Sequence, residues 1–367
     1  MKKNDNSCEC IVIGAGIIGL AIAAALSKKG LNVIVLEAES KTMQHASSHN
    51  SEVIHSGVYY QTGSLKAKLC VEGNYLLYDY CKKKGINFYN SGKLIVGGHD
   101  EDLNVLEKLF LNAKNNGVEG VSIIDKKNLL KMEPNLIAKH GLLLATTGVI
   151  DSHGFSVSLE AEIERLGGHI ITSSPVINGV YNGGRWRLKI DNLSPYYINT
   201  DLVINAAGFN ALSIAKNFGV KDLPSPIFVK GHYYKYQGKN PFKHLIYPLP
   251  EKYSLGIHTS IDMASGLRFG PDAKIIRMPN YIFSDNQKRT KKYIKSIKKY
   301  FKGFNSKLLQ PDFCGVRVRL NEDYESSDFS ILFSKHHGFD GLVNLAGIES
   351  PGLTASLAIA NYVVSEL

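Results

Sequence analysis

The feature that most constrains the fold is a glycine-rich turn between a short strand and a helix. Residues 8–13 form an apolar run typical of a strand, the turn GAGIIG follows, and residues 20–28 have a helical pattern. Glycine permits a strand-to-helix turn too tight for side chains, and the amides at the start of a helix bind phosphate groups. We therefore predict a dinucleotide site at Gly14, Gly16, Ile17, Ile18 and Gly19.

An acidic residue supports this prediction. The apolar run 31–36 predicts a second strand, which is followed by Glu37 and Ala38. A carboxylate about 20 residues after the turn hydrogen-bonds a ribose hydroxyl in such sites and disfavours the 2′-phosphate of NADP. A purely structural glycine turn is the alternative, but the strand, the helix and the acidic residue together favour nucleotide binding.

Length and composition are those of an ordinary globular protein with room for two domains. The 367 residues are 44% hydrophobic and 21% charged, and no apolar run reaches the roughly 18 residues of a membrane span. The five cysteines form no Cys-x-x-Cys pair, so we predict buried, reduced thiols and no metal site. Cleavage of a signal peptide would remove the glycine turn, so we expect a cytoplasmic protein.

The chain predicts an α/β fold whose two domains are both discontinuous. A Rossmann-like nucleotide-binding domain takes residues 1–81, 148–223 and 328–367. The segments between them, 82–147 and 224–327, form an α+β substrate domain built on a mostly antiparallel sheet.

Patterns inside these segments motivate the division. A strand that begins at Val176 is followed by the run DLVINAAG. This run ends in the small residues Ala206, Ala207 and Gly208. Small residues let a backbone pass close to a cofactor. In the second domain, alternating stretches at 232–236 and 254–258 indicate antiparallel strands.

Two further segments have the character of cofactor loops. The polar run 47–51 is rich in hydroxyls and leads to the aromatic pair Tyr59-Tyr60; its candidate contacts are Ser47, Ser48, Asn50 and Ser51. A second glycine turn opens the last helix, whose positive end suits negative charge on a reduced flavin; its candidates are Gly347, Ile348, Glu349, Gly352, Leu353 and Thr354. A solvated loop and a turn that only closes the sheet are the respective alternatives.

Arginines and histidines are the candidates for substrate chemistry. Arg317 and Arg319 share one face of an alternating strand, and an arginine fork suits a carboxylate. His55, His232 and His258 lie in separate motif-like stretches and are candidates for a base. Structural salt bridges and satisfied core histidines are the alternatives.

A lysine-rich stretch at 288–302 accounts for much of the net charge of +10. Its aromatic and aliphatic residues fall on one helical face, with lysines around the rest. We favour a solvated helix held in place by its apolar face; peripheral contact with the inner face of a membrane is the alternative. No nucleic-acid motif accompanies the lysines, so we predict no nucleic-acid partner.

The chain as a whole resembles a known family. The runs GAGIIGLAIA, IHSGVYY followed by GSLKAKLC, SGKLIVG, LIYPLP, LGIHTS and GIESPGLTASLAIA are similar to the L-2-hydroxyglutarate dehydrogenase/oxidase branch of the FAD-dependent D-amino-acid oxidase and glycine oxidase superfamily. The resemblance implies bound FAD and oxidation of an α-substituted carboxylic acid. It also implies that Arg317 binds the substrate carboxylate, that Tyr247 lines the same pocket, and that His55 lies near the flavin.

The resulting hypothesis is oxidation of an L-2-hydroxy acid, foremost L-2-hydroxyglutarate, by hydride transfer to flavin N5. Arg317 clamps one carboxylate, His55 or else His258 takes the hydroxyl proton, and His232, Lys230 or Tyr247 meets the distal carboxylate. Oxygen, a quinone or another electron carrier is the final acceptor. The alternatives are an amine oxidase of the glycine or D-amino-acid type, a non-catalytic FAD-binding protein, and an NAD-dependent dehydrogenase without flavin.

Overall fold

Strands and helices follow one another in the mixed order of an α/β chain. The computed structural model describes residues 7–250, 255–321 and 327–367. Their strands are β1 (Ser7–Ile13), β2 (Val33–Leu36), β3 (Val53–Ile54), β4 (Phe88–Tyr89), β5 (Lys93–Gly97), β6 (Val121–Asp125), β7 (His140–Leu144), β8 (Gly148–Ile150), β9 (His169–Ile171), β10 (Val176–Asn182), β11 (Arg185–Ile190), β12 (Tyr196–Asn205), β13 (Ile227–Tyr236), β14 (Leu245–Pro248), β15 (His258–Ile261), β16 (Leu267–Gly270), β17 (Lys274–Ile276), β18 (Leu309–Arg319), β19 (Ser330–Leu332) and β20 (Leu342–Ala346). Their helices are α1 (Ile17–Lys28), α2 (Leu65–Lys84), α3 (Asp102–Asn115), α4 (Lys126–Met132), α5 (Ser152–Arg165), α6 (Ala211–Asn217), α7 (Gln287–Ile297), α8 (Ser334–His337) and α9 (Gly352–Ser365).

The largest sheet is parallel at its centre and covered on both faces. Its order is β10-β11-β12-β1-β2-β9, with β20 beside β12 and β19 beside β20. Cys10 and Val12 of β1 belong to a core shared with α1, α2, α5 and α9. Ile11 and Ile13 point to the opposite face, where α6 packs. Apolar side chains on both faces of β1 explain its continuous hydrophobic run, as in other buried parallel strands.

The other sheets are mostly antiparallel. Five strands are ordered β15-β16-β13-β17 with β18 beside β13, four are ordered β14-β5-β7-β6, and β3, β8 and β4 form a small third sheet. Only the β14–β5 pair among these strands of the described chain is parallel. The predicted α/β fold class, with a Rossmann-like domain and a mostly antiparallel sheet, is confirmed. The residue boundaries drawn between the two domains stay a prediction.

Two predicted strands have different bounds in the structure. The strand predicted at 254–258 begins only at His258 and runs on to Ile261; Ser254 lies outside the described residues. The strand preceding the small residues ends at Asn205. Ala206 to Gly208 therefore lie beyond its carboxyl end, in the turn that leads towards α6.

The lysine-rich stretch is a shorter helix than its pattern predicts. α7 ends at Ile297, and its apolar face is buried through Tyr293 and Ile297, followed by the buried Tyr300 and Phe301. These side chains belong to the core shared with the antiparallel sheets, so a membrane cannot receive this face. Among the described residues, no helix combines the length and apolar character needed to cross a membrane.

Candidate active site

A cavity of about 450 Å³ opens at the carboxyl ends of the parallel strands. Ile13 and Leu36, the last residues of β1 and β2, line it, as do Ala206, which follows β12, and Leu345, the next-to-last residue of β20. Ligands of doubly wound α/β sheets bind at this edge, and the volume lies within the usual range for small-molecule sites.

Most of the predicted residues meet in this cavity. The predicted cofactor contacts that line it are Gly14, Gly16, Ile17, Ile18, Glu37, Ala38, Ser47, Asn50, Ser51, Val176, Ala206, Ala207, Gly208, Arg317, Ile348, Glu349, Gly352 and Leu353. The predicted catalytic residues that line it are His55, Tyr247, His258 and Arg317. Gly19, Ser48, His232, Gly347 and Thr354 are absent from its lining.

The glycine turn is shaped by close backbone contacts. Gly14 has φ +100°, and a Cβ there would lie 2.7 Å from the carbonyl oxygen of Ala206. A Cβ on Gly19 would collide with the carbonyl oxygen of Gly14. Gly19 therefore lets α1 approach the turn but does not itself face the cavity. Only glycine fits Gly14 without backbone strain.

The Glu37 carboxylate secures the turn from the neighbouring strand. Its Oε2 accepts a hydrogen bond from the amide of Ala15 at 2.7 Å, and its Oε1 accepts one from the amide of Glu39 at 2.9 Å. Because Glu37 also lines the cavity, the carboxylate predicted for a ribose hydroxyl is already fixed in position.

The 47–51 segment is pinned to the start of α1. Ser47 Oγ accepts a hydrogen bond from the amide of Ile17 at 3.1 Å, and Asn50 Nδ2 donates to the Ser47 carbonyl at 2.7 Å. The hydroxyl of Ser48 turns away and donates to the carbonyls of Gln44 and His45. The prediction that Ser48 contacts the cofactor is therefore corrected.

The C-terminal turn closes the cavity from a third side. Thr354 Oγ1 accepts a hydrogen bond from the His55 amide at 2.9 Å and donates to the Val53 carbonyl at 3.3 Å. Thr354 thus connects α9 to the strand before His55 through two hydrogen bonds and does not line the cavity. Gly347, at φ +65°, packs against Leu320 and likewise lies outside the lining.

Arg317 and Arg319 share a face of β18 but have different environments. Arg319 Nε binds Glu349 Oε2 at 3.1 Å, and Lys66 Nζ binds Glu349 Oε1 at 3.0 Å. All three side chains of this triad are buried. Arg317 alone of the two arginines lines the cavity. The pairing with Glu349 could not be predicted from spacing, because its members are far apart in the chain.

Arg317 lies beside a buried tyrosine. Burial raises the pKa of the Tyr233 hydroxyl, while the charge of Arg317 and hydrogen bonds with Arg317 and Ser51 oppose the shift. The Tyr233 ring stacks on Phe313 with centroids 4.5 Å apart. Tyr233 also lines the cavity, so a neutral hydroxyl accompanies the guanidinium there.

Two histidines face the cavity in their neutral form. Burial, followed by the charges of Lys93 and Arg317, lowers the pKa of His55 well below its usual value. Burial likewise lowers the pKa of His258 to about 3. His258 Nδ1 lies 2.9 Å from the Gly256 carbonyl. A carbonyl oxygen only accepts, so Nδ1 carries the proton and Nε2 keeps its lone pair.

His232 and Lys230 point away from the cavity. Successive residues of a strand face opposite sides, and Gly231 and Tyr233 are the lining residues of this part of β13. His232 Nδ1 instead binds Asp272 Oδ1 at 2.8 Å, and Lys230 Nζ binds Asn280 Oδ1 at 2.6 Å. The predicted contacts of both residues with a distal carboxylate are corrected.

Sequence reasoning missed Lys93, the first residue of β5. All five residues of this strand are buried, Lys93 included. Its Nζ lies 4.7 Å from the ring centroids of Tyr59 and Tyr247, and burial lowers its pKa to about 7. A lysine at the head of the otherwise apolar strand KLIVG was the available signal.

The donor set suits a flavin dinucleotide. The glycine turn, the Glu37 carboxylate and Gly352 at the start of α9 all line the cavity. The helix N-terminus favours negative charge, and the close approach at Gly14 leaves backbone, not side chains, at the turn. The residues present therefore fit the pyrophosphate, ribose and ring edge of such a cofactor.

Comparisons with known proteins agree with this arrangement. The family model described as "FAD dependent oxidoreductase" matches residues 9–366. The mitochondrial L-2-hydroxyglutarate dehydrogenase of Arabidopsis thaliana is 33% identical over 400 residues, covering 98% of this chain and 83% of that protein. The glycerol 3-phosphate dehydrogenase of Caloramator mitchellensis is 30% identical over 364 residues, covering 98% of this chain and 73% of that protein.

A solved structure shares the fold across nearly the whole chain. The L-alpha-glycerophosphate oxidase from Mycoplasma pneumoniae, with FAD bound, superposes with a TM-score of 0.88 at 25% identity and covers 98% of this chain and 94% of that one. FAD is therefore the cofactor, and the activity is an oxidation. The chain belongs to the FAD dependent oxidoreductase family, within the D-amino-acid oxidase superfamily.

Proposed function

We propose that this protein oxidises L-2-hydroxyglutarate to 2-oxoglutarate. The observation that carries the proposal is the meeting of one guanidinium, Arg317, with two neutral histidines, His55 and His258, in the cavity that suits FAD. The 33% identity to an enzyme named for this substrate supports it. When bound, FAD supplies the acceptor for the hydride.

Arg317 would bind the C1 carboxylate and orient the substrate. A planar guanidinium grips a carboxylate through two parallel hydrogen bonds. Holding the reacting carbon in one orientation lowers the barrier by up to about 7–11 kcal/mol. The Tyr233 hydroxyl beside Arg317 is neutral, so it adds a hydrogen-bond donor without placing a negative charge next to the guanidinium.

A histidine would remove the hydroxyl proton. In the free protein the charge of Arg317 lowers the pKa of both His55 and His258. A bound carboxylate offsets that charge, so substrate binding raises the proton affinity of the base at the moment it is needed. A placed base accelerates such steps by about 10²–10⁴-fold.

The direct test is reduction of the flavin in the absence of oxygen. We expect L-2-hydroxyglutarate to bleach the absorbance of the purified yellow protein, whereas glycine and sarcosine leave it unchanged. Bleaching by the amines would favour an amine oxidase, and bleaching by no member of the set would favour a non-catalytic flavin protein. Bound NAD and a colourless protein would contradict the flavin assignment itself.

Glycerol 3-phosphate is the second candidate substrate. Two of the similar proteins are named for it, and one of them superposes over 98% of this chain. Arg317 suits a phosphate as well as a carboxylate. Adding glycerol 3-phosphate to the same anaerobic set separates the two candidates, because our proposal requires faster reduction by the hydroxy acid.

Replacement of Arg317 by alanine should weaken substrate binding and leave FAD bound. Each charge-assisted hydrogen bond contributes about 1.5–3 kcal/mol, so we expect KM to rise roughly 10- to 100-fold. Steady-state kinetics and the flavin absorbance per protein measure the two effects. Arg268→Ala is the matched control, because Arg268 pairs with Asp262 and Asp312 in the same sheet. An unchanged KM in the Arg317 variant would remove Arg317 from the site.

We further propose that the protein works in the cytoplasm and passes electrons to oxygen or to a quinone-type carrier. Oxygen uptake during turnover, compared with reduction of a soluble quinone, distinguishes the acceptors. The buried face of α7 leaves only lysines for contact with an anionic membrane; those exposed are Lys288, Lys291, Lys292, Lys295, Lys298, Lys299 and Lys302. Sedimentation with anionic vesicles should then be weak and should disappear at high salt.

A further inference from the structure

Lys93 is a buried cation without an anionic partner among the described residues. Lys93 is 1% exposed, and no ion pair of the described residues includes it, whereas the buried Lys66 binds Glu349 at 3.0 Å. The buried Lys230 likewise has an oxygen partner in Asn280, at 2.6 Å. An ammonium group without a counter-charge is unfavourable in a protein interior, so its retention calls for an explanation.

Lys93 lies behind two side chains of the cavity wall. Its Nζ lies between two rings, 4.7 Å from the centroids of Tyr59 and Tyr247. Tyr247 in turn stacks on His258 with centroids 3.8 Å apart. Tyr247 and His258 both line the cavity, so one layer of side chains separates the ammonium from it.

The charges around the two histidines come from two cations. Arg317 and Lys93 both act on His55 and on His258. Arg317 is the one arginine or lysine that lines the cavity among the described residues. Once Arg317 holds one carboxylate, a second carboxylate of the same substrate has no cation left on the cavity surface. Lys93 is the remaining positive charge that acts on both histidines.

We propose that Lys93 is the specificity-determining residue for the distal carboxylate, and that the site therefore selects dicarboxylic over monocarboxylic 2-hydroxy acids. The inference rests on the proposed function and adds the residue that attracts the distal carboxylate of the substrate. The carboxylate next to the reacting carbon is then held by Arg317, and the distal carboxylate is attracted by Lys93. The rings of Tyr59 and Tyr247 stabilise the ammonium until the substrate arrives.

The protonation of Lys93 makes this selection depend on pH. The groups that face Lys93 are Tyr59, Tyr247, His55, His258 and Cys70. None of these is an anion at neutral pH, because burial raises the pKa of the Cys70 thiol and both histidines are neutral. Burial lowers the pKa of Lys93 to about 7, so the ammonium is present below pH 7 and is lost above it. KM for a dicarboxylate should rise above pH 7.

The test compares two substrates of equal length on one variant. For Lys93→Met we expect kcat/KM with L-2-hydroxyglutarate to fall about 10- to 100-fold, because the Coulomb attraction across the intervening side chains is lost, and kcat/KM with L-2-hydroxypentanoate to stay within about twofold. The rise in KM above pH 7 should vanish in this variant. Lys93→Arg should keep the preference but lose the pH dependence, because a guanidinium stays charged. Lys230→Met is the matched control, since it removes a buried lysine that points away from the cavity.

Equal losses with both substrates in Lys93→Met would assign Lys93 a structural role and overturn the proposal. Binding of glutarate and pentanoate, followed by perturbation of the flavin spectrum, separates this proposal from the proposed function. A wild-type preference for glutarate that is lost in Lys93→Met supports the dicarboxylate site even if L-2-hydroxyglutarate is not oxidised. Equal binding of glutarate and pentanoate by the wild type overturns it even if L-2-hydroxyglutarate is oxidised.

Discussion

The His55→Ala variant is expected to lose about 10²–10⁴-fold in kcat while retaining FAD, because removal of a placed base has this effect. His55 Nε2 lies 3.2 Å from Ser350 Oγ, and the ring lines the cavity beside Arg317. Its amide is held by Thr354, so the substitution leaves the backbone contact in place. Stopped-flow reduction of the flavin measures the loss at the chemical step.

Two further histidine variants show whether His55 is the base. His258→Ala removes the other neutral histidine and the stack with Tyr247; we expect a smaller loss from it, of about tenfold, through misplacement of Tyr247. His49→Ala removes a cavity histidine that stacks on Tyr281 with centroids 4.0 Å apart, and it should leave kcat unchanged. If His258→Ala shows the larger loss, His258 is the base.

The pH profile provides an independent measure of the same base. A histidine with an ordinary pKa would lose activity as the pH falls through about 6.5. Burial and the nearby cations lower the pKa of His55, so the neutral form persists well below that pH. We therefore expect the acid limb of kcat/KM, which reports the free enzyme, to lie clearly below pH 6.5. A limb at 6.5 would point to a solvated histidine.

The parts of the site that are local in sequence could be predicted. The glycine turn, its flanking strand and helix, and Glu37 depend on residues within one supersecondary unit, and steric limits on the backbone leave few alternatives. The presence of Arg317 in the cavity followed from an alternating strand and the resemblance to a family. For these residues the physical requirement is visible in the spacing itself.

The remaining parts depend on contacts that spacing does not encode. The alternation of side chains along the strand predicted that Arg317 and Arg319 share a face. Arg319 nevertheless binds Glu349, which lies in a turn 30 residues later in the chain, and so it is not available to a substrate. Alternation also left open which face of β13 meets the cavity, and His232 turned out to lie on the other one. The place of Lys93 near the cavity could not be predicted, because its burial depends on β14 and on the loop after His55.

Glu349 should be among the residues most important for stability. Its carboxylate is the shared partner of Lys66 and Arg319, at 3.0 and 3.1 Å. The side chain of Glu349 is 0% exposed, that of Lys66 is 3% exposed and that of Arg319 is 6% exposed. Glu349→Ala removes the carboxylate that these two buried cations share. Breaking a buried ion pair in this way lowers the free energy of unfolding by about 3–5 kcal/mol. Thermal and urea denaturation of the FAD-loaded protein would measure this loss.

The expected loss depends on burial more than on the ion pair as such, and the controls address that point. Asp100→Asn breaks an exposed pair with Lys139 and should change the free energy of unfolding by less than about 1 kcal/mol. Replacing Lys66, Arg319 and Glu349 together by methionine or leucine removes the charges as well as their partners, so most of the lost stability should return. A small effect of Glu349→Ala, no larger than that of Asp100→Asn, would mean that water reaches the triad.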